Sequence, residues 1–282
     1  MSARKKVVLK RTTKKQSNNF SIKIIMSVIL LLALIIIGYS YKARFLSYLG
    51  FSIEKPYEDL SEVEKKLSNE HIQNILLSHD DKALGFDVSE YQSVIDWEKT
   101  YNIDESFEMS FVFIRATAGN NKVDRRFKEN WKNAKARNLI RGAYHYYRPN
   151  ENSIEQANNF IKTVKLNKGD LPPVLDIEKL PKTQSIANLK LGLRRWLEAV
   201  EKHYKVKPII YSGESYYNDF LKKEFSDYPF WIANYNFWIK EIKDEWDFWQ
   251  FTENGKVEGI EGRLDLNVYN GSVLSLQNKC IK

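Results

Sequence analysis

Eight short apolar runs constrain the fold of this chain more than any other feature of its sequence. They begin at Leu84 and end at Leu266, and the first four are each followed by a stretch long enough to hold a helix. Parallel sheets covered by helices produce this alternation, because a parallel connection needs a crossover of a dozen or more residues. The predicted strands are 84–88, 111–116, 140–147, 174–178, 208–211, 230–233, 248–251 and 264–266.

Eight strands predict a closed barrel. The predicted helices are 125–138, 153–164 and 184–204, whereas the last three connections are too short for full helices. We therefore expect an α/β fold, a TIM-like (β/α) barrel whose C-terminal part is mostly strand. A doubly wound open sheet is the alternative, but no Gly-x-Gly-x-x-Gly turn follows any of the runs, so the usual nucleotide cofactor of that fold has no binding loop here.

The fourth apolar run carries two acids into an otherwise apolar strand. Side chains alternate along a strand, so Asp176 and Glu178 point to one face. Neighbouring like charges disfavour joint ionisation, which lets one carboxyl keep its proton near neutral pH. Such a pair suits glycosidic bond cleavage, in which one carboxyl donates a proton while another stays ionised. A strand end whose acids cap a helix or pair with lysines is the alternative explanation.

Polar and aromatic side chains also end the other predicted strands. The active site of a parallel barrel forms at the C-terminal ends of its strands, so these side chains are predicted to meet at one mouth. Sugar rings present apolar C–H faces to aromatic rings and hydroxyls to carboxylates and amides, so the set suits a carbohydrate cleft. Beside Asp176 and Glu178, the set comprises Asp87, Arg115, Thr117, Tyr144, Tyr146, Tyr211, Trp231, Asn234, Gln250 and Asp265.

We expect no metal and no cofactor. The four histidines show no ligand spacing, and no cysteine accompanies them, since the chain has only Cys280. The net charge of +8 looks like a nucleic-acid signal, but residues 1–23 hold eight of the 44 basic residues and no acid, which leaves 36 basic against 36 acidic residues in the rest of the chain. A neutral body removes most of the argument for nucleic-acid binding.

An uncharged run of 18 residues from Ile24 to Tyr41 follows the basic tail. At helical rise this run just spans a hydrocarbon core of roughly 30 Å. The excess of basic residues before it predicts a cytoplasmic N-terminus and an exported body. A cleaved signal peptide is the alternative, although its apolar core would be shorter and would end in a small-x-small site. We therefore expect a single-pass protein of the cell membrane.

These features divide the chain into four parts. They are a basic cytoplasmic tail (1–23), a transmembrane helix (24–41), an extracytoplasmic helical stalk (42–82) and a barrel (83–282). Within the stalk, apolar residues such as Leu67, Ile72 and Leu76 fall near helical spacing after Pro56. The alternative is that this helix packs on the barrel.

Ordered sequence blocks across the predicted barrel resemble glycoside hydrolase family 25, the lysozymes that cut peptidoglycan between N-acetylmuramic acid and N-acetylglucosamine. The resemblance spans residue 84 to about residue 271 and implies a flattened barrel with a strand-rich last third. The blocks are GFDVSEYQ (85–92), IDW (95–97), FIRATAG (113–119), GAYHYY (142–147), PPVLDIE (172–178), PIIYS (208–212), FWIANY (230–235), WQFT (249–252) and LDLNVY (264–269).

The resemblance also implies roles for the acids. Glu178 matches the general acid, and Asp176 matches the neighbour that orients the substrate's N-acetyl group as it attacks the anomeric carbon. Asp87 and Asp265 match two further acids, which raise the pKa of the general acid and hold substrate or water. Arg115 stands where the family has lysine.

The expected function is that of a peptidoglycan hydrolase, a membrane-tethered N-acetylmuramidase acting on glycan strands, with any protein partners left open. Its catalytic set is Glu178, Asp176, Asp87 and Asp265, and its expected substrate-binding set is Arg115, Tyr144, Tyr211, Trp231 and Gln250.

Three alternatives stay open. A chitinase-like barrel would need acids at positions 171 and 174, where this chain has Leu171 and Val174. A glycan-binding module without catalysis would not need a protonated carboxyl. A membrane-tethered scaffold would use the barrel mainly to bind partners at the envelope.

Overall fold

A computed structural model describes residues 25–32, 34, 57–103 and 106–282 of the chain. Its main element is a sheet that contains all eight predicted strands. In chain order the strands are β1 (Leu84–Val88), β2 (Asn102–Ile103), β3 (Phe107–Glu108), β4 (Phe111–Ala118), β5 (Lys122–Val123), β6 (Ile140–Tyr146), β7 (Val174–Asp176), β8 (Ile209–Gly213), β9 (Phe230–Ala233), β10 (Phe248–Gly255) and β11 (Leu264–Tyr269).

The sheet closes on itself through β1, which pairs in parallel with β4 on one side and antiparallel with β11 on the other. The remaining order is β4-β6-β7-β8-β9-β10-β11, with every pair parallel except β10–β11. The predicted eight-stranded barrel core is therefore confirmed, as is its strand-rich C-terminal part. Two short hairpin elements lie outside the barrel: β5 extends β4, and β2 pairs with β3.

Three of the five longer helices in the described part of residues 57–282 lie between early strands, as the sequence predicts, whereas the first precedes β1 and the last follows β11. The five helices are α1 (Glu62–Ser78), α2 (Phe127–Ala136), α3 (Ser153–Thr163), α4 (Ile186–Tyr204) and α5 (Val273–Lys279). Single helical turns occur at Tyr57–Asp59 and Glu90–Gln92, and a turn at Glu214–Tyr216 continues as a π-helix over Tyr217–Leu221. The predicted helices over 125–138, 153–164 and 184–204 correspond to α2, α3 and α4.

Large and small side chains alternate inside the barrel. The rings of Phe111, Phe113, Trp231 and Phe248 contact one another there, with ring centroids 4.4–5.7 Å apart. Gly142 on β6 makes room for them, because a Cβ atom at this position would lie 2.4 Å from the Phe113 ring. The barrel interior is therefore a packed core, as expected for a barrel of eight strands.

Helix α1 packs against the outside of the barrel. Its Ile72, Ile75 and Leu76 are buried in the same apolar cluster as the outward-facing residues of the strands. Burial of three large apolar side chains stabilises this contact by several kcal/mol, at about 1.5–3 kcal/mol for each. Of the two alternatives for residues 62–78, a free stalk or a packed helix, the structure has the packed helix.

The direction of α1 follows from contacts near its two ends. Just before the helix begins, the Tyr57 ring lies 3.7 Å from the guanidinium of Arg263, which directly precedes β11. Just after it ends, the His79 ring contacts Trp249, with ring centroids 6.0 Å apart, near the start of β10. Because β10 runs parallel to β9 and β11 runs back, α1 begins at the end of the barrel where the parallel strands terminate.

Most of the N-terminal predictions lie outside the described residues. Residues 25–32 and 34 are helical and exposed, whereas the rest of the predicted transmembrane segment 24–41 is not described, and neither are the basic tail 1–23 and residues 42–56. In the described part of the chain, no helix is both long enough and apolar enough to cross a membrane. The transmembrane segment and the boundaries of the four parts stay predictions.

Substitution of Gly142 by alanine tests the packing of the barrel interior. The added Cβ would meet the Phe113 ring inside a tightly packed core, so we expect a loss of about 2 kcal/mol in the free energy of unfolding. Chemical denaturation of the purified protein measures it. The control is Gly213→Ala, where no atom lies within 4 Å of the added Cβ, and equal stability of the two variants would contradict the prediction.

Candidate active site

Four carboxyl groups meet at the end of the barrel where the parallel strands terminate. Asp87 on β1 and Asp265 on β11 are direct partners in the antiparallel ladder. Asp176 is the last residue of β7, and Glu178 lies two residues beyond it. The predicted strand 174–178 is therefore too long by two residues. The chain nevertheless stays close to β8, because the Ile177 N–H donates to the carbonyl of Tyr211 over 3.0 Å.

Asp87 and Asp265 face each other across the ladder, so that one proton can lie between their carboxyls. The two carboxyls hydrogen bond, and burial together with the charge of Asp87 raises the pKa of Asp265 well above its usual range, so Asp265 is the donor. Burial also raises the pKa of Asp87, to about 6, although hydrogen bonds from neighbouring amides oppose the rise. Near neutral pH the pair therefore carries about one negative charge, which is located on Asp87.

Two side-chain amides hold that charge. Gln250 Nε2 and Asn267 Nδ2 each donate to Asp87 Oδ2 over 2.8 Å. The amides are themselves oriented, because the hydroxyls of Tyr211 and Tyr235 donate to Gln250 Oε1, and Trp231 Nε1 donates to Asn267 Oδ1 over 2.8 Å. A buried carboxylate with two fixed donors stays ionised more readily than one without donors.

Three residues of the predicted substrate-binding set belong to this network. Trp231 is 1% exposed, Gln250 2% and Tyr211 8%, so these three side chains offer almost no surface to a ligand. Their polar atoms instead bond to one another or to Asn267 and Asp87. In this structure they position the Asp87 carboxylate from below. Contact with substrate and support of Asp87 can be told apart only by the exposure of a side chain. Exposure depends on neighbours from other strands, so the sequence pattern could not separate these two roles.

Asp176 and Glu178 form the second carboxyl pair. Asp176 is buried, and its Oδ1 atom has no hydrogen-bond partner in the described residues. Burial first, and then the charges of Glu178 and Asp87, raise the pKa of Asp176 well above its usual range. Glu178 is half-buried, and burial raises its pKa while the neighbouring Lys179 lowers it. One proton is therefore retained readily in this pair.

Arg115 lies at the same mouth but is engaged in ion pairs. Its Nε donates to Asp124 over 2.9 Å, and its terminal nitrogen lies 3.2 Å from Glu90. The sequence predicts that Arg115 binds substrate, but in this structure its guanidinium is buried and paired with these two acids. Its charge nevertheless lowers the pKa of Asp176, which places it within electrostatic reach of the carboxyl pair.

Tyr144 agrees best with its predicted place in a substrate cleft. It lies on β6 with a half-buried ring, as does Tyr146 two residues later. The charges of Asp87 and Asp176 raise the pKa of the Tyr144 hydroxyl further than burial alone, and those of Glu178 and Asp176 do the same for Tyr146. The two hydroxyls are therefore neutral donors next to the acids.

Two residues of the site were not predicted. Asn267 and Tyr235 each take part in the network around Asp87. Asn267 could have been found, because it lies two residues after Asp265 on the same strand and so shares its face. Tyr235 follows β9 in a loop, where no periodicity applies. The described residues hold no group of three or more His, Cys, Asp or Glu side chains arranged to bind a metal.

Comparisons with known proteins point in one direction. The model of the glycosyl hydrolases family 25 matches residues 86–260. The protein YegX of Escherichia coli K12 is 41% identical over 196 residues, covering 68% of this chain and 71% of YegX. Lysozyme M1 of Streptomyces globisporus is 34% identical over 207 residues, covering 68% of this chain and 69% of the lysozyme.

Solved structures agree with the sequence matches. A bacterial lysozyme from Streptomyces coelicolor superimposes with a TM-score of 0.63 at 30% identity, covering 71% of this chain and 97% of the lysozyme. A family 25 glycosyl hydrolase from Bacillus anthracis superimposes with a TM-score of 0.62 at 34% identity, covering 70% of this chain and 93% of the hydrolase. The barrel is the part of the chain that these proteins share.

Replacement of Asp265 by asparagine tests the shared proton. The folded pKa of Asp265 lies above its unfolded value, so the folded state binds more protons and the stability of the wild type falls as pH rises from about 4. The asparagine amide does not titrate but can still donate to Asp87. We expect the free energy of unfolding of the variant, relative to that of the wild type, to increase as the pH rises from about 4 to 8. Chemical denaturation of both proteins at each pH measures this difference. Parallel curves would contradict the prediction.

Proposed function

The chain belongs to glycosyl hydrolase family 25, and from this premise we propose that it is a membrane-tethered N-acetylmuramidase. The substrate is peptidoglycan, and the bond cleaved is the β-1,4 bond between N-acetylmuramic acid and N-acetylglucosamine. One observation carries this proposal: a buried carboxyl with an unpartnered oxygen lies beside a half-buried glutamate, and burial raises the pKa of both. Lysozyme M1 and the lysozyme from Streptomyces coelicolor, both by name, support the substrate class.

Glu178 is the proposed general acid. It is the more exposed of the two carboxyls, so it can reach the glycosidic oxygen of a bound strand. Burial raises its pKa, which favours the protonated form that the departing sugar requires. As the C–O bond breaks, the leaving oxygen takes this proton, and the resulting carboxylate later accepts a proton from the attacking water.

Asp176 is proposed to act through the substrate's own N-acetyl group. The amide N–H of that group would donate to the unpartnered Oδ1 and so lower the pKa of Asp176. The ionised carboxylate then orients the acetamido oxygen, which attacks the anomeric carbon and forms a cyclic intermediate that water opens. This route retains the configuration at the anomeric carbon without a carboxylate nucleophile, as in other substrate-assisted glycosidases.

Substrate binding would also decide which carboxyl holds the proton. In the free enzyme the deeper burial of Asp176 and the charge of Glu178 both favour a protonated Asp176. A hydrogen bond from the substrate favours the ionised form, and two adjacent carboxyls exchange a proton with little change in free energy. The proton therefore passes to Glu178 when the N-acetyl group is in place. Asp87, held ionised by Gln250 and Asn267, contributes a fixed negative charge next to the positive charge that develops on the sugar.

The tether is proposed from the N-terminal sequence. The basic tail and the apolar run from Ile24 to Tyr41 support a single-pass protein with a cytoplasmic N-terminus and an extracytoplasmic barrel. The orientation of α1 adds one point: Tyr57, just before the helix, contacts Arg263 at the same end of the barrel as the carboxyl groups. A tether attached there suits an enzyme that acts on glycan strands close to its own membrane.

Cleavage is tested with the full chain in detergent micelles and purified peptidoglycan. We expect new reducing ends on muramic acid with the wild type, and a loss of at least about 100-fold with Glu178→Gln, because the amide cannot donate the proton. The control is Glu258→Gln, an exposed glutamate. Binding of the polymer by the wild type without release of reducing ends would instead favour a glycan-binding module.

Topology is tested with a reporter domain fused after Lys282. In cells or spheroplasts with an intact membrane, we expect external protease to degrade the reporter while a cytoplasmic marker survives. Protection of the reporter until the membrane is lysed would reverse the proposed orientation, and recovery of the uncleaved reporter from the medium would indicate a removed signal peptide.

A further inference from the structure

Tyr91 is an exposed aromatic residue with a fixed backbone at the rim of the site. It lies in the single helical turn Glu90–Gln92, directly after β1, and its side chain is 76% exposed. Ser89 caps the turn: its hydroxyl accepts from the Tyr91 N–H over 3.2 Å, while the Ser89 N–H donates to Gln92 Oε1 over 2.8 Å. A large apolar ring is thus kept in solvent by a well-ordered turn.

The ring rests on a buried cation. The guanidinium carbon of Arg115 lies 4.6 Å from the centre of the Tyr91 ring. Arg115 is in turn held by Asp124 over 2.9 Å and by Glu90 over 3.2 Å. The backbone N–H of Glu90 also donates to Asp124 over 2.9 Å. Asp124 therefore links the turn that carries Tyr91 to the guanidinium of Arg115. One face of Tyr91 is therefore occupied, and the ring is oriented before any ligand arrives.

Tyr91 lies beside the carboxyl groups. Asp87 is four residues before it, near the end of the strand that leads into the turn. Arg115, beneath the ring, acts electrostatically on Tyr144 and Asp176, and Tyr91 itself contributes to the raised pKa of Tyr146. Because the turn that carries Tyr91 follows the strand that carries Asp87, and Tyr91 acts electrostatically on Tyr146, the ring lies at the rim of the mouth that Tyr144 and Tyr146 line.

We propose that Tyr91 is a stacking platform for a sugar ring of the glycan strand, at a subsite next to the point of cleavage, and that Arg115 is its positioning residue. This inference rests on the proposed function. The apolar C–H face of an N-acetylated amino sugar matches the exposed face of the ring. A preoriented aromatic ring loses little conformational freedom on binding, so it contributes affinity efficiently. Arg115 thus acts on the substrate through Tyr91 rather than by direct contact.

The chain contains a matched control for this arrangement. Tyr101 is 56% exposed, and the guanidinium of Arg137 lies 3.4 Å from the centre of its ring. The Met109 N–H donates to the Tyr101 carbonyl just before β4 begins, and Arg137 lies between α2 and the start of β6, so the pair lies near the starts of the parallel strands, away from the carboxyl groups at their ends. Loss of a tyrosine stacked on an arginine can therefore be measured at two places, only one of which is at the site.

The experiment measures binding without turnover. The full chain carrying Glu178→Gln, in detergent micelles, is titrated calorimetrically with a tetrasaccharide of alternating N-acetylglucosamine and N-acetylmuramic acid that bears no peptide. We expect Tyr91→Ala to raise Kd roughly five- to tenfold, Tyr91→Phe to recover most of the affinity because the ring remains, and Tyr101→Ala to change Kd less than about twofold. In the active chain, Tyr91→Ala should raise KM for glycan strands more than it lowers kcat.

Several outcomes would overturn the proposal. An unchanged Kd for Tyr91→Ala, or an equal loss for Tyr101→Ala, would show that the ring does not bind sugar. A loss confined to peptide-bearing fragments would assign Tyr91 to the stem peptide instead. These results leave the proposed function intact, because the wild type would still release reducing ends. A wild type that neither binds the tetrasaccharide nor cleaves peptidoglycan would overturn both proposals.

Discussion

The site depends on the cost of placing four carboxyl groups, two of them buried, together at one end of a barrel. Asp87 and Asp265 lower that cost by sharing a proton across the β1–β11 ladder, and two amides stabilise the remaining charge. Asp176 and Glu178 have no such donors among the described residues, and burial raises the pKa of both. Unpaired buried acids keep protons, and a retained proton is what acid catalysis requires.

The closure of the barrel brings the two pairs together. Because β1 lies between β4 and β11, the first and last strands of the barrel are neighbours, and Asp87 and Asp265 become partners although they lie near opposite ends of the barrel sequence. The packed interior below them, with Phe113 fitted against Gly142, holds the strands in this register. Trp231 links that interior to the site through its bond to Asn267. The position of the acids is thus a property of the whole barrel.

Helix α1 changes the interpretation of the segment before the barrel. A helix with Ile72, Ile75 and Leu76 buried against the strands is part of the folded unit, so any tether must precede Tyr57. The Tyr57–Arg263 contact lies at the end of the barrel that holds the four carboxyl groups. If the proposed tether precedes Tyr57, it would join the folded unit at this end and limit how far from the membrane the mouth can reach.

The sequence by itself determined the eight strands, the early helices and the residues that end the strands, because apolar periodicity and side-chain alternation are local properties. Only the tertiary structure decided what those residues do. Trp231, Tyr211 and Gln250 are buried supports because strands distant in sequence cover them. Arg115 is an ion-pair partner because β4 carries it next to Glu90 and Asp124. The exposure of a side chain and its hydrogen-bond or ion-pair partners depend on which groups the closure of the barrel brings together. The periodicity of one strand does not indicate which residues of other strands will lie next to it.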